Sequence, residues 1–159
     1  MQRNPSIQFV DFHRGGIYPG TGSTSDEHRN VLNVEFNHEY TYADVEREWE
    51  AHAEPAIEKF QPNFIIISAG FDAHRGDPTR LGDLSAEDFG GITARVLELA
   101  DELCEGQVVS ILEGGYGADC DEEGFGRFKI ERRRSPAPAS GPKPDFKGCL
   151  EAHLRALSS

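Results

Sequence analysis

Cysteine, cationic charge and long apolar runs are all scarce in this sequence, and each shortage removes a class of protein. The three cysteines, Cys104, Cys120 and Cys149, are odd in number, widely spaced and free of any C-x-x-C pattern. They offer neither a disulfide framework nor a zinc ribbon, and they point to a reducing compartment, the cytoplasm or, in a eukaryote, the nucleus. Lys and Arg number 16 against 28 Asp and Glu, a formal net charge of -12. That balance argues against a nucleic-acid backbone or an anionic membrane as partner, while cationic substrates stay compatible. No apolar segment approaches the roughly 20 residues of a membrane span, and the N-terminus lacks the basic-then-apolar layout of a secretion signal. A soluble intracellular protein is the expectation. Also missing are internal repeats, a P-loop, a dinucleotide-binding G-x-G-x-x-G after a strand, a G-x-S-x-G elbow and an H-E-x-x-H helix.

What is present is an α/β pattern of one-domain size, 159 residues. The run from Phe64 to Ser68 is short and apolar and breaks into Gly70-Phe-Asp72; the run from Val108 to Leu112 breaks into Glu113-Gly-Gly-Tyr116. Both have the form of buried parallel strands that unload polar groups at a sheet edge, where open α/β sheets place their sites. Ile7 to Phe12 reads as a first strand, and Leu32, Val34 and Phe36 alternate as a short extended segment with one face buried. Val45, Trp49, Ala53, Ala56, Ile57 and Phe60 recur at helical spacing and predict one amphipathic helix over 42–60, with Thr41 or Asp44 as cap. A second helix is predicted from the variant capping box Ser85-Ala-Glu-Asp88 to about Glu105, ended by Gly106, with Phe89, Ile92, Val96, Leu99, Ala100 and Leu103 as its buried stripe. Strand, helix and strand then make a βαβ unit with a right-handed crossover. The segment 118–147, acidic, then basic, then holding four prolines, reads as a loop or linker. A final helix over 148–159 is expected to dock on the sheet through Leu150, Leu154 and Leu157.

Few residues invite chemistry. Asp72, held just past a buried strand, suits a metal ligand, a general base or an orienting group, and equally a loop carboxylate or helix cap. Asp77, in Gly76-Asp-Pro78, is read as fixing a turn. Gly114 and Gly115 let a backbone approach a ligand, and the Tyr116 phenol can donate to an oxyanion; an ordinary strand-to-loop turn has the same pattern. Asp11 and His13 lie two apart on a strand and so share a side, as metal sites use and as a polar stripe also gives. His28, His38, His52 and His153 have no clustered spacing and receive no role.

Taken together, Tyr18-Pro-Gly-Thr-Gly22, Ser68-Ala-Gly-Phe-Asp-Ala-His74, Gly76-Asp-Pro78 and Leu112-Glu-Gly-Gly-Tyr116 resemble the histone deacetylase family. The likeness is to its class II and bacterial acetoin-utilisation or acetylpolyamine-amidohydrolase members, over roughly residues 7 to 117 and again in the last helix. It implies an arginase-deacetylase fold, three layers around a mostly parallel sheet, and zinc-dependent hydrolysis of acetylated amines. Asp72 then matches a zinc ligand, Tyr116 the tyrosine that hydrogen-bonds the substrate carbonyl, Gly114 and Gly115 the glycines of the acyl-lysine tunnel, and Tyr18 an aromatic tunnel wall.

The chain also departs from the family pattern. The His-His pair and the D-x-H strand end that family members carry upstream do not precede residue 7. Asp11-Phe-His13 falls instead where the family has a Ser-x-His strand that helps hold a structural potassium ion, with Asp11 in the serine's place. A monovalent cation site there, or a makeshift metal site of Asp11, His13 and Asp72, follows as an expectation. The resemblance thus implies the C-terminal portion of a deacetylase domain over 1–117, its final helix at 148–159, and an exposed parallel edge open to self-association or to a complementing N-terminal segment. The contrasting expectation is a non-catalytic remnant, a binding or oligomerisation module derived from a deacetylase, since a catalytic zinc takes three protein ligands.

Overall fold

The runs of β-branched and aromatic residues fold into two pairs of parallel strands. In the computed structural model, residues 4–17, 20–23, 30–116 and 145–158 are described; Tyr18 and residues 118–144 of the linker predicted over 118–147 lie outside them. Strand β1 (Phe9–Arg14) pairs with β2 (Val31–Phe36), Phe9 opposite Val31 and Arg14 opposite Phe36. Strand β3 (Ile65–Ala69) pairs with β4 (Val108–Leu112), Ile65 opposite Val108 and Ala69 opposite Leu112. Because both members of each pair run the same way, their carboxyl ends and the loops that follow gather on one side.

The first predicted helix is present but broken in the middle, which corrects the expectation of one continuous helix. Helix α1 (Tyr42–Glu48) opens on a capping box in which Thr41 and Asp44 each accept the other's backbone N–H. A π turn (Trp49–Ala53) follows, then α2 (Glu54–Phe60). Pro55 has no N–H to close its i→i−4 bond, and the ladder widens just before it, Glu54 N–H donating to the Trp49 carbonyl. The widened turn still delivers Trp49 and Ala53 to the core. Helix α3 (Ala86–Cys104) joins β3 to β4 and carries the predicted capping box of Ser85 and Asp88. It stops one residue earlier than the glycine signal suggests, because Glu105 itself takes the left-handed conformation, φ 54°.

Helix α4 (Phe146–Leu157) starts two residues before the predicted boundary, with the Asp145 carboxylate accepting the Gly148 N–H at 2.9 Å. Its docking face also differs from the leucine stripe: Cys149 and His153 are buried while Leu154 is exposed. His153 can lie there because both ring nitrogens are satisfied, Nδ1 against Thr93 Oγ1 at 2.7 Å and Nε2 against Ser110 Oγ at 2.8 Å. Thr93 donates its own proton to the Phe89 carbonyl, so it accepts from Nδ1–H, and Nε2 accepts from Ser110. One imidazole thereby ties α4 to α3 and β4, and a group without clustered spacing in the sequence turns out to be a structural pin.

The main core gathers Val34, Phe36, Tyr40, Phe71, Leu84, Phe89 and Cys149; a second cluster joins Trp49, Ala53 and Leu99 to Val10, Phe12 and Ile57. Residues of opposite parity on β3 and β4 face away from this core. Ile66, opposite Val109, and Ile111, opposite Ser68, are 61%, 46% and 49% exposed. The described helices cover one face of this strand pair and leave the other bare.

Candidate active site at the ends of β3 and β4

The chain beyond β3 turns sharply, and Phe71 anchors the turn. Its ring is 3% exposed, packed edge-on against Phe89 at 5.2 Å and His153 at 5.7 Å. Strand-like pairing continues one step past each strand, Glu113 N–H donating to the Ala69 carbonyl at 3.0 Å and Phe71 N–H to the Gly114 carbonyl at 2.8 Å. These bonds lay the Asp72 turn against the Gly114-Gly115 segment.

Gly70 and Gly114 both come close to the Asp72 carboxylate. A Cβ on Gly114 would lie 2.7 Å from Asp72 Oδ2, and one on Gly70 would lie 3.0 Å from Oδ1. The carboxylate thus sits in a notch made of glycine backbone. Burial pushes its pKa up from the ordinary 3.8, and the charges of Asp77 and Glu113 add to the rise, while a backbone N–H hydrogen bond opposes it. A partly desolvated, negatively surrounded carboxylate is short of positive charge, the condition a bound cation relieves.

Asp77 lies behind this notch, 4% exposed. Its Oδ2 accepts the Tyr116 N–H at 2.7 Å and its Oδ1 the Thr79 N–H at 2.8 Å. The Thr79 hydroxyl reaches both the Asp77 carboxylate and, at 3.0 Å, the Asp72 carbonyl. Tyr116 is therefore held by its backbone, and its side chain is 59% exposed. Gly115 just before it has φ 137°, a conformation favouring glycine.

Asp11 and His13 form a separate pair. Asp11 Oδ2 lies 2.9 Å from His13 Nδ1, a close contact whose alignment falls short of a hydrogen bond, and His13 Nε2 faces Gly22. Among the described residues no three His, Cys, Asp or Glu side chains are grouped to hold a metal ion. Asp11, His13 and Asp72 are thus not brought into one ligand set. Tyr40, buried and stacked on Phe36 at 4.3 Å, senses both carboxylates: burial raises its pKa well above the usual phenol range, with the charges of Asp72 and Asp11 adding. Tyr40 and the Asp77–Tyr116 bond are features that sequence reasoning misses. Gly-Asp-Pro announces a turn but carries no sign of a partner 39 residues away, and Tyr40 has no motif at all.

The donor chemistry of the notch fits one zinc ligand, since Asp72 offers two oxygens in a cradle that a side chain would fill. The described residues do not supply the further two protein ligands of a catalytic zinc.

The family model for the histone deacetylase domain matches residues 1–126. The chain belongs to the histone deacetylase family. It is 31% identical over 149 residues to the type-2 histone deacetylase 2 of Dictyostelium discoideum, covering 89% of this chain and 8% of that protein. It is 37% identical over 131 residues to histone deacetylase 4 of Caenorhabditis elegans, covering 72% of this chain and 14% of that one. Among solved structures, the HDA15 HD domain superposes with a TM-score of 0.72 at 26% identity, over 98% of this chain and 39% of that chain. The deacetylase Clr3 gives the same TM-score at 22% identity. The fold is therefore the arginase-deacetylase type expected from the sequence, and the chain spans well under half the length of these relatives.

Proposed function

We propose that this chain supplies the Asp72 and Tyr116 half of a zinc-dependent site that hydrolyses acetylated amines, acetyl-lysine or acetylpolyamine. The observation that carries this is the glycine notch: Gly70 and Gly114 let their backbone approach the Asp72 carboxylate closely, just beyond the paired ends of β3 and β4. In such hydrolysis the metal supplies Lewis acidity and an activated water. The protein's own part is to hold a desolvated carboxylate at Asp72, to present the phenol of Tyr116 to a carbonyl whose oxygen gains charge, and to let substrate pass close to the Gly114-Gly115 backbone. Two buried free thiols, Cys104 and Cys149, suit a reducing compartment, cytoplasm or nucleus.

Two zinc ligands and a general base must then come from outside the described residues. We assign them to a complementing segment or a second chain that covers the bare face at Ile66, Val109 and Ile111, an apolar patch of the kind that marks interaction surfaces. Light scattering across a concentration series tests this: mass rises with concentration for the native chain and stays at the monomer for Ile111→Asp, while a monomer at every concentration opposes self-association. The absence of a three-donor group among the described residues favours a second reading, a binding module without catalysis. An acetyl-lysine hydrolysis assay with added zinc separates the two, with Tyr116→Phe as control. Loss of turnover on that substitution supports catalysis; turnover that survives it removes Tyr116 from the reaction.

A further inference from the structure

We infer that Asp77 is a positioning residue whose carboxylate fixes the backbone of Tyr116 relative to Asp72. The inference rests on the assignment of Tyr116 to the substrate carbonyl, and adds to it how that tyrosine is aimed.

The hydrogen bonds between the two loops run out in a definite order. Ladder bonds end at Glu113 and Gly114. Gly115 follows at φ 137°, with no Cβ to restrict its backbone. The next tie between these loops is Asp77 Oδ2 to Tyr116 N–H, at 2.7 Å a short, charge-assisted bond. Asp77 is itself held firmly: its N–H donates to the His74 carbonyl at 2.8 Å, and its carbonyl accepts from Arg80 N–H at 3.2 Å. Its second oxygen accepts from Thr79, whose hydroxyl also lies 3.0 Å from the Asp72 carbonyl. One side chain therefore meets the Asp72 loop through one oxygen and Tyr116 through the other. A turn-fixing aspartate needs the Thr79 contact alone, whereas this one is buried and reaches across to a second loop.

The chemistry requires a carboxylate. Two oxygens face two separate N–H donors, and asparagine can answer only one of them while turning its NH₂ toward the other. Glutamate, one methylene longer, has no room at a site 4% exposed.

The test is a ¹⁵N-labelled chain compared with Asp77→Ala, which removes both acceptor oxygens. Amide exchange at Tyr116 should quicken by about tenfold or more, as loss of a hydrogen bond to a charged group implies, and 3-fluorotyrosine at Tyr116 should pass from one resonance to several. Thr79→Val, which keeps its N–H, should leave the Tyr116 amide unchanged. In the unsubstituted chain, a through-hydrogen-bond coupling between the Tyr116 amide nitrogen and the Asp77 carboxyl carbon gives the same answer without any variant. Loss of protection confined to Thr79 and Arg80, or absence of that coupling, overturns the inference and leaves Asp77 a turn residue. If these signals behave as stated but acetyl-lysine is not hydrolysed, the positioning stands and the catalytic assignment falls.

Discussion

Asp72 lies just past β3 and the Asp11–His13 pair within β1, both strands of parallel pairs, yet only Asp72 is closely framed by the backbone of two glycines. Asp72 sits in a notch of two glycines, is partly desolvated, and belongs to a loop tied through Thr79 and Asp77 to the backbone of Tyr116. Asp11 and His13 have chiefly each other, in a contact that misses hydrogen-bond alignment. By spacing alone the D-x-H pair has a pattern that metal sites use and that a polar stripe also gives. The difference teaches that the surroundings decide: backbone shaped around a carboxylate, with partners on separate elements, says more than a suggestive spacing.

Damage to the support of each site should separate them most strongly. Phe71→Ala removes the ring beneath the Asp72 turn and should cost about 3–5 kcal/mol in urea unfolding, whereas the less buried His13→Ala should cost about 1 kcal/mol or less. Equal losses would show that the two ends are supported alike. Gly114→Ala comes next: its Cβ would overlap Asp72 Oδ2, so a loss of about 1–3 kcal/mol is expected, together with displacement of Asp72 carbon shifts by NMR. A neutral result would mean the notch is roomier than the geometry implies.

The pH dependence of stability sharpens the contrast by sign. Asp72 has a raised pKa, so its contribution is fully present below the ordinary 3.8 and is lost as pH rises through its elevated value. Asp72→Asn should therefore be more stable than the native chain at pH 7 when no metal is added. His153 has a pKa lowered by burial, so its contribution is present above the ordinary 6.5 and is lost as pH falls through the depressed value. Replacing it by leucine should flatten the acid side of the profile. A profile unchanged by either substitution would contradict the burial assigned to these groups.

Much of the fold is legible in the sequence. Hydrophobic periodicity locates the strands and helices, because one face of each is buried; the capping box at Ser85 marks one helix start, and of the two caps offered for the first helix Thr41 is the N-cap, with Asp44 completing the box. What escapes is tertiary. The effect of Pro55 on α1 and α2 depends on keeping both Trp49 and Ala53 in one core. The burial of His153 in place of Leu154 depends on Thr93 and Ser110, distant in sequence, satisfying its ring. Asp77 has the look of a turn residue because its second partner, Tyr116, is on another loop. The motifs locate Asp72 and Tyr116; they do not reveal what holds them together. Tyr18 lies outside the described residues.

Everything proposed for catalysis depends on Asp72 as a zinc ligand. The most direct measurement is hydrolysis of an acetyl-lysine peptide by the protein with added zinc, native against Asp72→Asn, with bound zinc determined on the same samples. The substitution should strip the zinc and lower turnover by at least about a hundredfold, the scale of losing a metal's contribution to the reaction. Equal zinc content and equal turnover in the two proteins would contradict that role.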